Sequence, residues 1–123
     1  MIIGIGIDSI EIERVSKACE QSSFMKKVYT KEELDYLLLR KYNSETMAGI
    51  FAAKEAVSKA LGTGIGEISW TDICVLHNEK GAPYVKLSGN AKVVFDLFGG
   101  SEIFISITHT KDIATAMSII ETN

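Results

Sequence analysis

Glu55 and Lys59 lie one helical turn apart in an otherwise apolar stretch, residues 51–64, FAAKEAVSKALGTG. A Glu–Lys pair at this spacing is often a solvent-exposed salt bridge that stabilises its helix by about 0.2–0.5 kcal/mol. At about 100° per residue, however, the pair borders an arc made only of alanines, namely Ala48, Ala52, Ala53, Ala56 and Ala60. Because an alanine arc lets another backbone or a flat ligand approach closely, the pair could instead belong to a functional site.

A second carboxylate lies near the N-terminus, in residues 1–9, MIIGIGIDS. Isoleucines alternate there with two glycines and Asp8, which predicts a strand with one face stripped of side chains. We expect this glycine face to lie against the alanine arc, so that Asp8 and Glu55 meet. We also expect Asp8 to cap the next helix, with Glu11 three residues later completing a pattern like a capping box.

Two carboxylates that meet in a crevice repel each other unless a proton or a cation lies between them. Ligation by oxygen alone, with no cluster of His or Cys, favours Mg²⁺ over zinc. Mg²⁺ commonly takes one or two protein carboxylates and completes its shell with water and substrate phosphate. The pattern therefore predicts a magnesium site at Asp8 and Glu55, with Lys59 adding positive charge toward the phosphates.

Three further features each allow a structural and a functional interpretation. The loop Gly62-Thr-Gly-Ile-Gly66 offers backbone N–H groups to a phosphate, but one glycine is simply a helix stop, and the loop matches neither the Walker nor the dinucleotide motif. Lys54, on the apolar side of the helix, could be a structural residue that snorkels to solvent or a functional one. His109 at a turn could be incidental or, with Thr110, donate to an anionic oxygen.

The elements that must position these residues follow from periodicity and caps. Thr30 and Glu33 form a capping box that begins a helix, and a longer helix is expected from Ser44 to Leu61. Ser88 or Asn90 is expected to cap a later helix that ends at Gly99-Gly100. Four further segments predict antiparallel strands, 72–76, 84–87, 102–108 and 113–120, the last two forming a hairpin. The expected fold is one α+β domain over 1–123, a mostly antiparallel sheet packed with a long central helix.

Composition narrows the class of protein. The chain has 123 residues, of which 46% are hydrophobic and 24% charged, as in a soluble globular domain. No apolar run reaches the roughly 18 residues of a membrane helix, and no basic leader precedes Asp8, so we expect neither membrane association nor a signal peptide. Cys19 and Cys74 are unclustered, which favours reduced thiols in a cytoplasmic protein. The net charge of −3 argues against nucleic-acid binding.

A basic strip contrasts with this acidic average. Between residues 14 and 31, a single acid, Glu20, accompanies five basic residues, Arg14, Lys17, Lys26, Lys27 and Lys31. Such a strip could be ordinary surface, or it could be a docking face for an acidic partner, whose approach it would steer.

Three stretches together resemble the holo-acyl-carrier-protein synthases, the small trimeric class of 4′-phosphopantetheinyl transferases. The first is Gly4-Ile-Gly-Ile-Asp8 with Arg14, and the second is Phe51-Ala-Ala-Lys-Glu-Ala-Val-Ser-Lys-Ala60 with the loop 62–66. The third is Ser106-Ile-Thr-His-Thr110, followed by Ala114 and Ala116. The resemblance spans essentially the whole chain, and the three stretches occur in the family's order.

The resemblance implies an activity and its participants. The family transfers the phosphopantetheine arm of coenzyme A to a serine of apo-acyl carrier protein in fatty acid biosynthesis. The reaction depends on Mg²⁺ and releases 3′,5′-ADP. The family is homotrimeric, with active sites at the subunit interfaces. Two other readings of the same residues remain open, a Mg²⁺-dependent nucleotide hydrolase and a non-catalytic module that binds an acidic protein.

The resemblance also assigns roles to matching positions. Asp8 and Glu55 would ligate Mg²⁺, and Lys59 would contact the pyrophosphate, so these three are the expected catalytic residues. The coenzyme pocket would be lined by one loop, Gly62, Thr63, Gly64, Ile65 and Gly66, and, from the neighbouring subunit, by Gly81, Pro83, His109 and Thr110. The carrier protein would meet the basic residues Arg14, Lys17, Lys26 and Lys27, which favours docking as the role of the strip.

The sequence departs from the family pattern at two places. Ile50 occupies a position that often carries an arginine, which helps to hold a phosphate of coenzyme A. Gly81-Ala-Pro83 replaces the usual Gly-Lys-Pro. The first departure predicts looser coenzyme binding, or compensation by another basic residue such as Lys80. Neither departure affects the expected metal ligands.

Overall fold

A three-stranded antiparallel sheet joins the two ends of the chain. Strand β1 (Ile2–Glu11) pairs with β5 (Ile113–Thr122), which in turn pairs with β4 (Gly100–His109), in the order β1-β5-β4. Strands β4 and β5 form the hairpin that the sequence predicts. The computed structural model describes residues 1–123.

The remaining elements confirm an α+β fold. A separate two-stranded antiparallel sheet consists of β2 (Ile73–His77) and β3 (Pro83–Leu87), preceded by a 3₁₀ turn at Trp70–Asp72. The five helices are α1 (Ile12–Ala18), α2 (Ser22–Val28), α3 (Lys31–Leu39), α4 (Ser44–Ala60) and α5 (Gly89–Leu97). The central helix is α4, which packs against β1, β4 and β5 and against β2 of the second sheet.

Side-chain caps mark the start of α3 and α4 but not of the other helices. The predicted capping box is confirmed, since the Glu33 N–H donates to Thr30 Oγ1 at 3.1 Å and the Thr30 N–H donates to Glu33 Oε1 at 2.8 Å. The expected cap at Asp8 is wrong. Asp8 lies inside β1, whose pairing with β5 continues to Glu11, so α1 begins only after Glu11 and has no side-chain cap. Helix α5 follows Ser88, also without a side-chain cap.

The glycine face of β1 lies directly against α4, as the sequence predicts. A Cβ atom added at Gly6 would lie 1.9 Å from the carbonyl oxygen of Ala56, and one at Gly4 would lie 2.1 Å from that of Ala60. No side chain fits between the strand and the helix at these two positions. The bare glycine face of β1 and the small alanine residues of α4 therefore set the distance between the two elements.

Lys54 is a fully buried structural residue, which decides between the two roles that the sequence left open, although its side chain does not snorkel to solvent. Its ammonium group pairs with Glu33 at 2.5 Å and donates to the carbonyl oxygens of Val28 at 2.6 Å and Trp70 at 3.1 Å. The other oxygen of Glu33 accepts from the Val75 N–H at 2.6 Å. Burial raises the pKa of Glu33 and lowers that of Lys54. This network ties α4 to α2, α3 and β2.

Candidate functional site

Lys59 joins the central helix to the first strand. Its ammonium group lies 3.3 Å from Asp8 Oδ1 and donates to the Ile7 carbonyl oxygen at 3.0 Å. Lys59 forms no salt bridge with Glu55, so the interpretation of these two residues as a simple surface pair is wrong. The close contact between Gly6 and α4 is what allows the lysine to reach across to the strand.

Glu55 interacts with Asp8, as the sequence predicts. The pKa of Glu55 is raised, first by its partial burial and then by the negative charge of Asp8, while Lys59 opposes the shift. A like charge raises a carboxyl pKa only when the two groups are close enough to repel each other. Asp8, Glu55 and Lys59 therefore form one cluster, which we call the carboxylate site.

The donor set of the carboxylate site fits Mg²⁺ only if a substrate completes the shell. No group of three or more His, Cys, Asp or Glu side chains surrounds a common point that could hold a metal ion. The chain thus offers two carboxylates, and Mg²⁺ characteristically uses one or two together with water and substrate phosphates. The repulsion between Asp8 and Glu55 also favours a cation between them. The residues therefore suit a shared ion that arrives with a diphosphate.

The loop 62–66 leaves open space for a ligand, but most of its backbone N–H groups are already hydrogen-bonded within the chain. The N–H groups of Gly62, Thr63 and Gly64 all donate back to carbonyl oxygens of α4, at 3.0–3.2 Å, and that of Gly66 donates to Ile68. The expectation that the loop presents its N–H groups to a ligand is thus wrong for four of its five residues. Space remains, because a Cβ atom at Gly64 or Gly66 would meet nothing within 4 Å. The buried Thr63 hydroxyl has no hydrogen-bond partner within the chain.

The residues expected to reach coenzyme A from a neighbouring subunit lie at the other end of α4. Gly81, Pro83 and His109 line a single cavity of about 420 Å³, which we call the α3–α4 cavity. Thr110 lies beside it, and its hydroxyl accepts from two N–H groups of the hairpin turn, at 3.1 and 3.3 Å. The cavity does not include Asp8, Glu55 or Lys59.

The carboxylate site and the α3–α4 cavity occupy different parts of α4 within one chain. The α4 residues that line the cavity extend from Glu45 to Ile50, which lie about 15 Å and about 7.5 Å before Glu55 along the helix axis. The structure therefore brings together Asp8, Glu55 and Lys59, and separately Gly81, Pro83 and His109, but it does not bring the two groups together in one chain.

Several residues of the cavity carry no signal in the sequence. Glu45 Oε2 lies 3.1 Å from His109 Nδ1, and Tyr36 and His77 stack with their ring centroids 4.1 Å apart. Arg40 lies beside Tyr36 at the end of α3. These side chains come from four elements, so neither periodicity nor spacing could have revealed that they meet.

The basic strip is exposed on α1, α2 and the start of α3. Arg14 and Lys17 lie on α1, and Lys26 and Lys27 occupy the last turn of α2. None of these four residues, nor Lys31, forms an ion pair within the chain. Their charges are therefore uncompensated. Elsewhere, both cysteines are free thiols, and no helix combines the length and apolarity needed to cross a bilayer.

Comparisons with known proteins agree with this architecture. A sequence model of the 4′-phosphopantetheinyl transferase superfamily matches residues 4–117. The holo-acyl-carrier-protein synthase of Fusobacterium nucleatum is 49% identical over 98% of this chain and 99% of its own length. The Bacillus anthracis synthase, solved in complex with coenzyme A (3′,5′-ADP), aligns at a TM-score of 0.81 with 37% identity, covering 100% of this chain and 99% of that one. The Helicobacter pylori synthase in complex with coenzyme A aligns at 0.80 with 37% identity, covering 95% and 99%.

These matches extend over nearly the full length of both chains. The chain therefore belongs to the 4′-phosphopantetheinyl transferase superfamily, and within it to the holo-acyl-carrier-protein synthases. It is a transferase, and the family resemblance seen in the sequence is confirmed.

Proposed function

We propose that this protein transfers the 4′-phosphopantetheine group of coenzyme A to a serine of apo-acyl carrier protein, with Mg²⁺, releasing 3′,5′-ADP in fatty acid biosynthesis. The observation that carries the proposal is the meeting of Asp8, Glu55 and Lys59 across the close glycine–alanine contact between β1 and α4. Both cysteines are free, which supports the cytoplasm as the compartment.

The chemistry follows from where charge develops. The serine oxygen forms a bond to the β-phosphorus of coenzyme A while its proton passes to a base, for which Glu55 or water is the candidate. The bond from that phosphorus to the bridging oxygen breaks, and 3′,5′-ADP leaves with that oxygen. Mg²⁺, when bound, neutralises the phosphate oxygens and fixes the geometry of displacement. Asp8 and Glu55 would hold the ion, and Lys59 is placed to stabilise or protonate the leaving phosphate.

We further propose that the active protein is a homotrimer in which neighbouring copies complete each site. The outer face of the β1-β5-β4 sheet exposes large apolar side chains, Ile5 at 65%, Ile7 at 62%, Phe104 at 50% and Met117 at 37%. A second copy on this face would bury them, at about 25 cal/mol per Å². Self-association would also let one copy's α3–α4 cavity face another copy's carboxylate site. Within each copy, both core clusters include α4, which supports one domain over 1–123.

The carrier protein would dock on the basic strip. Arg14, Lys17, Lys26 and Lys27 are exposed and unpaired, and an acidic partner would supply the missing counter-charges. The same residues have no role in a nucleotide hydrolase, which favours transfer to a protein.

One assay separates this function from its alternatives. The protein is incubated with coenzyme A, Mg²⁺ and apo-acyl carrier protein, and the carrier is weighed by mass spectrometry. Gain of the phosphopantetheine mass is the expected result. Release of 3′,5′-ADP without carrier would instead support a hydrolase, and no reaction with any carrier would support a non-catalytic binding module.

A further inference from the structure

The outer edge of β1 carries backbone groups that the sheet does not use. β1 pairs only with β5, and in an antiparallel pair alternate residues turn their N–H and C=O groups toward the neighbouring strand. The Ile12 N–H donates to the Asp112 carbonyl oxygen at 2.8 Å, in the same register, so the even-numbered residues of β1 are the ones bonded to β5. The odd-numbered residues Ile5, Ile7 and Ser9 therefore direct their N–H and C=O groups away from the sheet.

Lys59 shows the same direction and covers only one of these groups. The Ile7 carbonyl oxygen accepts from Lys59 Nζ at 3.0 Å, and Lys59 lies on α4, not on β5. Outside the sheet pairing, no hydrogen bond within the chain involves the N–H groups of Ile7 and Ser9 or the Ser9 carbonyl oxygen. Both residues are exposed. An open strand edge of this kind is a template on which a further extended chain can pair.

The open edge lies beside the carboxylate site. Asp8 stands between Ile7 and Ser9, so their outward N–H groups flank the residue that would hold Mg²⁺. The Lys59 ammonium group contacts both Asp8 and the Ile7 carbonyl oxygen, which joins the edge and the site in one place. A chain attached to a phosphate at the carboxylate site therefore starts next to this edge.

We propose that the edge of β1 at Ile7 and Ser9 binds the pantetheine arm of coenzyme A through the amide groups of the arm, in the manner of an added strand. The proposal rests on the proposed function, because the arm is attached to the β-phosphorus that the serine attacks. The arm contains two amides joined by two methylene groups, one carbon more than separates the amides of a peptide. It therefore offers N–H and C=O groups to an edge that offers the complementary ones, and such main-chain hydrogen bonds supply affinity.

Amide hydrogen exchange on the full-length protein tests the proposal without any substitution, when resolved by residue with NMR in the presence of Mg²⁺. The N–H groups of Ile7 and Ser9 should exchange quickly in the free protein and at least roughly tenfold more slowly with saturating coenzyme A. 3′,5′-ADP, which lacks the arm, should leave their exchange almost unchanged. Slow exchange in the free protein would show that another copy already covers the edge, and equal exchange with the two compounds would show that the arm does not bind there. Either result would overturn the proposal.

A substitution of Ser9 by proline removes one of the donors. Proline is tolerated where a strand N–H faces away from the sheet, so the pairing with β5 should persist. Ser9→Pro should raise the Kd for coenzyme A roughly fivefold, the effect of one ordinary hydrogen bond, and leave the Kd for 3′,5′-ADP almost unchanged. If it weakens coenzyme A no more than 3′,5′-ADP, the proposal is wrong.

Thr115→Val is the matched control for this variant. The Thr115 and Ser9 hydroxyls lie 2.8 Å apart, and both changes remove that hydrogen bond, but Thr115→Val keeps the Ser9 N–H. It should alter neither Kd, and a loss of coenzyme A affinity equal to that of Ser9→Pro would contradict the role of the N–H. None of these measurements needs the carrier protein, so failure of transfer would reject the proposed function while the role of the edge is still decided.

Discussion

Lys59 neutralises Asp8 while no cation lies between Asp8 and Glu55. Its ammonium group is 3.3 Å from Asp8, and half of its side chain is exposed, so it can move toward a phosphate that enters the site. Glu55, with a raised pKa, has no direct counter-charge of its own. Among the three residues, Glu55 therefore depends most on the arrival of a cation.

Replacing Glu55 with Gln should abolish transfer without unfolding the protein. The amide keeps the shape of the side chain but removes the negative charge that would hold the ion, so we expect kcat to fall by at least about a hundredfold. The carrier mass assay measures the rate, and circular dichroism checks the fold. A near-normal rate would remove Glu55 from the site.

The same variant has a pH signature in metal-free buffer. Because the pKa of Glu55 is raised above its ordinary 4.5, the folded state binds this proton more tightly than the unfolded state. Ionisation as the pH rises therefore costs stability, and the cost disappears below the ordinary pKa. Glu55→Gln should match the parent near pH 4 and exceed it near pH 8, by less than about 1 kcal/mol because solvent screens the half-buried group.

At the scale of elements, the contact between β1 and α4 sets the geometry of the site. Gly6→Ala would place a Cβ atom 1.9 Å from the Ala56 carbonyl oxygen, so the strand must move away and carry Asp8 with it. We expect loss of roughly 3 kcal/mol or more of unfolding free energy together with loss of activity. Gly64→Ala is the control, since it meets no atom and pays only about 1–2 kcal/mol for its left-handed backbone. Equal effects of the two changes would contradict the tight contact.

The buried pair of Lys54 and Glu33 fixes α4 against its other neighbours. Lys54→Met leaves a buried carboxylate without its partner and should lower the unfolding free energy by about 3–5 kcal/mol, measured by urea denaturation. Lys92→Met breaks the exposed pair with Asp96 and should change the unfolding free energy by less than about 0.5 kcal/mol. A Lys54 variant as stable as the Lys92 control would show that α4 does not depend on this network.

At the scale of the whole molecule, the exposed apolar face of the β1-β5-β4 sheet predicts that copies of the protein associate through this face. Replacing Phe104 and Met117 together with Glu should produce a folded monomer with little transferase activity, because charges on this face oppose burial. Light scattering after size exclusion measures the mass. Leu39→Glu changes a side chain of α3 that is more exposed, at 82%, and lies outside this sheet, so it should leave the assembly unchanged. A trimer that survives the double change would place the interface elsewhere.

Mutations in the basic strip should weaken binding of the carrier protein without affecting binding of coenzyme A. Lys26→Glu with Lys27→Glu reverses two unpaired charges on α2, so the KM for the carrier should rise at least about tenfold while that for coenzyme A stays the same. Lys86→Glu reverses the charge of an exposed lysine on β3, outside the strip, and serves as the control that should leave both KM values unchanged. If both constants rise together, or neither changes, the strip is ordinary surface.

The sequence by itself determined the local features, namely a helix cap, a helix, a hairpin and the face of a strand. The capping box at Thr30, the span of α4, the final hairpin and the glycine face that meets the alanines all follow from short-range patterns. Helix α2 was not predicted, because its few apolar residues set no period. The expected cap at Asp8 failed because the pairing of β1 with β5, more than 100 residues away, carries the strand past that residue.

Only the tertiary structure decided the partners of the charged groups. Lys54 is paired with Glu33, Lys59 with Asp8, and His109 with Glu45, and each pair joins residues far apart in the chain. The stack of Arg40, Tyr36 and His77 likewise depends on how α3 meets β2. Local patterns fix which face a side chain occupies, whereas packing between distant elements fixes which charge it meets. That is why the carboxylate site could be predicted from the sequence, whereas the meeting of Tyr36, Arg40, Glu45 and His77 in the α3–α4 cavity could not.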